Sequence, residues 1–98
     1  MDFIVVSSIE KYRELAQSHI TSEHQVLEIG CSHGATTNIL AGLAKRVVAI
    51  DIATEMISHA RKALGQTRNV ELLLHDARDL SKIGKLIPHP FAIFIDIG

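Results

Sequence analysis

Apolar residues in this chain fall into short runs separated by polar, glycine- or proline-bearing stretches. Four runs are near-continuous rather than alternating: Gln25–Ile29, Arg46–Asp51, Asn69–His75 and Phe91–Ile97. That pattern suits strands buried on both faces of a parallel sheet. Between them the apolar residues recur at helical spacing. Ile9, Tyr12, Ala16 and Ile20, with Leu15 beside them, predict a helix over about Ser8 to His19. Ser7 and Glu10 fit the N-cap and N3 positions of a capping box at its start. In that position the helix covers the sheet edge or the mouth of a site. A second helix, from about Ala35 to Ala44, carries Ile39, Leu40 and Leu43. Gly42 inside it costs roughly 1 kcal/mol relative to alanine, which predicts close packing on the sheet as its reason. Thr54-Glu55 opens a third helix, with Met56, Ile57, Ala60, Ala63 and Leu64 on one face and Gly65 in the C′ position. Asp79 to Ile87 predicts a short helix broken at Gly84, and Pro88-His89-Pro90 a stiff turn. Phe3–Val6 reads as a docking arm or a frayed edge element.

Strands alternating with helices at this spacing predict a parallel α/β sheet with right-handed crossovers. Residues 1–24 then form an N-terminal arm and capping helix, and residues 25–98 the α/β unit. With 47% apolar residues in 98, the chain is able to bury a core. No apolar run approaches the roughly 18 residues of a membrane span. The start lacks the basic region of a signal peptide, and the one cysteine excludes an internal disulfide. A cytoplasmic location is expected. The net charge is −1, basic residues are scattered and aromatics sparse, so no nucleic-acid patch or base-stacking platform is evident.

The chemistry gathers where the strands end. Strand one runs into Gly30-Cys31-Ser32-His33-Gly34 and then a helix start, the arrangement of a site for a polar or anionic group. Strands two, three and four end in Asp51, Asp76 and Asp96. In a doubly wound sheet these are the carboxyl ends, where ligands bind. An acid about 20 residues beyond the glycine loop is placed to accept from vicinal ribose hydroxyls. Ile52 beside it suits the face of an adenine ring. Asp76 suits an exocyclic amine and the Ala77 N–H a ring nitrogen. Together they describe an adenosine pocket.

Glu28-x-Gly30-x-Ser32-x-Gly34, then Asp51, then Asp76-Ala77, resembles the class I S-adenosylmethionine-dependent methyltransferases over roughly Gln25 to Gly98. The resemblance implies a three-layer Rossmann-like sheet, counted 3-2-1-4 from the strand Gln25–Ile29, and methyl transfer to an acceptor the sequence does not name. It places the Gly30–Gly34 backbone, with Cys31, Ser32 and His33, against the methionine part of the cofactor. Asp51 takes the ribose, and Ile52, Asp76 and Ala77 the adenine. Asp96 lies beside the methionine moiety and the acceptor, the one candidate for a catalytic role. Glu28 orders the loop amides. Ser32 stands where the family has its middle glycine, and Asp96-Ile97-Gly98 is not the Asn/Asp-Pro-Pro-aromatic signature of amino-group methyltransferases. Methyl transfer depends mainly on placing the acceptor in line, and the residues that do so normally follow the fourth strand.

Two other classes compete. A nicotinamide-dependent oxidoreductase has to read the loop as Gly30-x-Ser32-x-x-Ala35, without its central glycine. A non-catalytic binding module fits a unit that supplies fewer strands than the full fold. Cys31 is a nucleophile or a small buried loop residue. His19, His24, His59, His75 and His89 show no metal spacing and read as surface or turn residues. With order 3-2-1-4 and truncation after the fourth strand, Phe91–Ile97 becomes an exposed apolar edge, a pairing liability. The expectation is a piece of a longer chain, or a domain completed by another subunit, a homo-oligomer included.

Overall fold

The computed structural model describes residues 2–6, 8–31, 34–65, 67–76, 78–87 and 89–96; of Asp2–Val6, Ile9, Leu80 and Asp96 it describes the backbone alone. The elements run β1 (Asp2–Val6), α1 (Ile9–His19), β2 (Gln25–Ile29), α2 (Ala35–Leu43), β3 (Arg46–Asp51), α3 (Thr54–Leu64), β4 (Val70–Leu74), α4 (Leu80–Leu86) and β5 (Ala92–Asp96). All strand pairs are parallel, in the order β1-β5-β2-β3-β4. The four strands expected from their apolar runs are β2, β3, β4 and β5, and their order is the expected 3-2-1-4.

The fifth strand corrects one expectation. β5 is not an edge: β1 lies along its outer side, from Asp2 opposite Ala92 to Val6 opposite Asp96. Phe3–Val6 is therefore an edge strand, and the edges of the sheet are β1 and β4. Adding β1 pairs the backbone groups on the outer side of Ala92–Asp96 that are otherwise left open.

Successive strand residues point to opposite faces, and the apolar runs feed two cores. On one face Val26, Val47, Ala49, Ala92 and Phe94 pack with Tyr12, Ala16 and Ile20 of the α1 segment, Leu40 of α2, and Ile57, Ala60 and Leu64 of α3. On the other, Leu27, Val48, Ile50 and Ile93 pack with Ile83 and Ile87 of the α4 segment. The chain crosses from β4 back to β5, beside β2, and α4 changes face with it. The carboxyl ends of β2 and β5 thus flank the switch point of a doubly wound sheet.

Local details refine the helix predictions. Ser8, not Ser7, is the N-cap of α1: it is extended at φ −130°, ψ 146°, and its Oγ accepts the Lys11 N–H. Ser7 lies outside the described residues. α1 packs over a sheet face, with the Tyr12 ring 5.1 Å from that of Phe94, rather than over an edge. Gly42 is exposed, and a Cβ there meets nothing within 4 Å, so close packing on the sheet is not its reason. α4 runs through Gly84 unbroken. Ala63 is exposed, unlike Ile57, Ala60 and Leu64. Gly65 ends α3 at φ 56°, its N–H donating to the Arg61 carbonyl.

The amino ends of the strands are tied by side chains. The Arg46 guanidinium pairs with Glu71 at 2.5 Å and donates to the Leu86 carbonyl and the Gln25 amide. Asn69 donates to the Ala41 and Ala44 carbonyls at the end of α2, groups a helix terminus leaves unpaired. The His24 ring stacks on Phe91 at 3.5 Å and accepts the Thr21 N–H at Nδ1. These ties lie at the opposite end of the sheet from the candidate site.

Candidate functional site

The glycine loop begins as a continuation of β2. The Gly30 N–H donates to the Ile50 carbonyl at 2.8 Å, which holds the loop against β3. Gly30 and Gly34 take φ of 86° and 89°, a region in which an L side chain costs energy. The Gly34 N–H donates back to the Cys31 carbonyl at 2.9 Å, closing a tight turn. Gly34 is also the N-cap of α2 and carries no side chain to satisfy the first helical amides. A Cβ on Gly34 sits 3.2 Å from the Ala60 Cα and 3.4 Å from its carbonyl oxygen. Close approach of α3, as well as backbone conformation, therefore demands glycine. Ser32 and His33 lie outside the described residues.

Beneath the loop, Glu28 is fully buried. Its carboxylate accepts from the Tyr12 hydroxyl of α1 and the Thr37 hydroxyl in the first turn of α2. A buried carboxylate is stable only when hydrogen-bonded or paired. Among the described residues the cluster joins α1, β2 and the first turn of α2, and β2 and α2 are the elements that flank the loop. Cys31 is buried, and its thiol is pushed up to about 12, first by burial and then by the charges of Asp51 and Glu28. A thiol so held is neutral, and a neutral thiol is a poor nucleophile. Of the two readings for Cys31, the buried loop residue fits this environment.

At the tip of β3, Asp51 is half-buried and its Oδ1 accepts the Ala53 N–H at 2.9 Å. The next residue, Ile52, is 68% exposed. The tip of β4 leads through His75 to Asp76. The Asp76 carboxylate accepts the Arg78 backbone N–H at 2.9 Å and a fork of side-chain N–H groups at 2.6–3.1 Å. The Arg78 side-chain bonds, then its backbone N–H, hold Asp76 down at about 2.

A cavity of about 310 Å³ opens at these strand ends. It is lined by Ile29, Gly30, Ile50, Asp51, Ile52, His75, Asp76 and Arg78. Of the residues singled out from the sequence, the structure brings Gly30, Asp51, Ile52 and Asp76 into this one cavity. Glu28, Cys31 and Gly34 support its loop from below and behind. Ala77 and the side chain of Asp96 fall outside what is described. His75 and Arg78 were not foreseen as lining residues. For Arg78 the signal is the Asp-x-Arg spacing, which lets a side-chain turn and an ion pair form together. For His75 it is its place one residue before a strand-end acid. Among the described residues no group of His, Cys, Asp and Glu side chains is arranged to hold a metal ion.

Known proteins resemble this chain in sequence and in fold. The sequence profile of the family described as "Methyltransferase domain" matches residues 26–90. An rRNA adenine N-6-methyltransferase of Bacteroides fragilis is 34% identical over 67 residues, 68% of this chain and 25% of that protein. Protein-L-isoaspartate O-methyltransferase 1 of Anaeromyxobacter sp. is 44% identical over 61 residues, 59% of this chain and 29% of that protein. Among solved structures, a Streptococcus mutans protein crystallised in complex with SAH superposes with a TM-score of 0.75 at 25% identity, covering 93% of this chain and 52% of that one. The chain spans about a quarter to a third of the length of these two curated relatives. With the profile matched from the first core strand to the turn before β5, the dinucleotide-oxidoreductase reading falls away, and the chain belongs to the methyltransferase domain family, with the class I, Rossmann-like fold of S-adenosylmethionine-dependent enzymes.

Proposed function

We propose that the chain is the cofactor-binding portion of an S-adenosylmethionine-dependent methyltransferase, and that the cavity at the ends of β2, β3 and β4 takes the adenosine end of the cofactor. One observation carries this: two carboxylates, an exposed isoleucine and a glycine-lined strand end, drawn from three separate strands, meet in a single cavity. Its volume lies at the lower end of the range for ligand pockets, which suits part of a cofactor rather than a whole dinucleotide. The donor set fits the group. Asp51, whose Oδ1 accepts the Ala53 N–H at the tip of β3, presents a carboxylate of the kind that accepts from ribose hydroxyls. Ile52 offers an apolar face to the ring, and Asp76 accepts an amine proton. The loop from Gly30 to Gly34, with Cys31, Ser32 and His33 between them, is where we place the methionine end, next to the strand end that Gly30 contributes to the cavity.

When bound, the cofactor supplies an activated methyl group on sulfur. The chain's part is to orient it and exclude water from it. The acceptor approaches from the carboxyl end of β5, where Asp96 ends the strand, and Asp96 is our candidate for contact with it. A protein of this kind works in the cytoplasm.

Calorimetric titration of the chain with S-adenosylhomocysteine tests the proposal, with NAD as the control. Binding of the first and not the second is expected. Asp51→Ala removes both ribose hydrogen bonds and weakens binding at least tenfold, at roughly 1 kcal/mol or more per bond. A folded chain that binds no S-adenosyl compound refutes the proposal.

A further inference from the structure

The geometry points to Arg78 as a positioning residue that makes the cavity select a purine carrying an exocyclic amine, by holding the Asp76 carboxylate in one orientation. This rests on the adenosine reading above and adds to it a residue and a selectivity.

An ionised carboxylate has about four acceptor positions. At Asp76, Arg78 engages three donors. Its backbone N–H reaches Oδ1 at 2.9 Å, Nε–H is shared between Oδ1 at 3.0 Å and Oδ2 at 3.1 Å, and Nη2–H reaches Oδ2 at 2.6 Å. Both oxygens are fixed, and the plane of the carboxylate is fixed with them. About one acceptor position remains, on a group that lines the cavity. A side chain with one fixed vacant acceptor rewards a donor placed there and repels an acceptor. An exocyclic amine is such a donor; a ring carbonyl in the same place is not. The Arg78 side chain is 87% exposed, so packing gives it little other work. Without the fork the Asp76 carboxylate keeps only its turn bond to the backbone and rotates freely about its terminal bond.

The test compares S-adenosylhomocysteine with S-inosylhomocysteine, in which a carbonyl replaces the amine, on the wild-type chain and on Arg78→Ala and Arg78→Lys. Circular dichroism verifies the fold of each. The wild type prefers the amine compound. Arg78→Ala weakens the amine compound roughly three- to tenfold, the worth of one hydrogen bond, and leaves the carbonyl compound unchanged or tighter, so the preference collapses. Arg78→Lys restores part of it, because an ammonium carries the charge without the planar fork. A residue that merely supported the fold would scale both affinities together. An unchanged preference in Arg78→Ala overturns the inference, as does tighter binding of the amine compound, which makes Arg78 a competitor for Asp76. A folded wild type that binds neither compound fails at the adenosine reading itself. A wild type that binds both equally refutes the selectivity alone.

Discussion

Tyr12→Phe removes one oxygen from a residue that is 1% exposed and leaves its ring against Phe94 in place. The oxygen matters because its partner is the fully buried Glu28 carboxylate, shared with Thr37. A hydrogen bond to a charged group contributes roughly 1.5–3 kcal/mol, against about 1 for a neutral pair. We expect a loss of about 2 kcal/mol, which for a domain of this size lowers Tm on the order of 8–16 °C. Urea and thermal unfolding followed by circular dichroism measure it. A double-mutant cycle with Glu28→Gln isolates the charge. In the Glu28→Gln background the same tyrosine loses only a neutral bond, so the cycle shows a coupling of about 1 kcal/mol. Additivity within roughly 0.5 kcal/mol, the behaviour of uncoupled changes, refutes the charge-assisted bond, and a loss under about 0.5 kcal/mol from Tyr12→Phe alone refutes the tie between α1 and Glu28.

Gly34→Ala combines a φ of 89° with a Cβ 3.2 Å from the Ala60 Cα. It destabilises by about 2–4 kcal/mol, measured by urea unfolding, and a loss under about 1 kcal/mol contradicts the close approach of α3. Gly42→Ala and Gly84→Ala act in the opposite direction, because each glycine lies inside a helix with open space at its Cβ; each stabilises by roughly 1 kcal/mol, seen as a raised urea midpoint. The Cys31 thiol, held at about 12 in the folded chain, stays unlabelled by maleimide until the chain unfolds. Its pKa is raised on folding, so the stability it contributes is fully present below the ordinary thiol value near 9 and is lost as pH rises toward 12. Stability measured between about pH 8 and 11 therefore falls more steeply for the wild type than for Cys31→Ala.

What the sequence carried, and what it did not, divides by the range of the interaction responsible. The strands β2, β3 and β5 show in the chain because burial on both faces forces their residues to be apolar; β4, an edge strand only partly buried, shows by a similar apolar run. Their functional ends show because an acid is costly anywhere else in such a run. Gly42 misled because a glycine inside a helix has the same cost on either face; only the turn of α2 decides that it faces solvent. Ser7 misled because Glu10 three residues on completes a capping-box pattern, while the chain enters the helix at Ser8. β1 pairs with a strand about ninety residues away, and nothing local in Phe3–Val6 names so distant a partner. Tyr12 reads as one more apolar position on a helical face, since nothing local says that its hydroxyl meets Glu28. Arg78 was hidden differently. An exposed arginine has no burial to mark it, and its meaning lies in the acid two residues before it. The residues proposed to bear a ligand are legible where polarity appears at a strand end; the side chains bonded to the acids, Tyr12 to Glu28 and Arg78 to Asp76, become visible only when the partner's position is known.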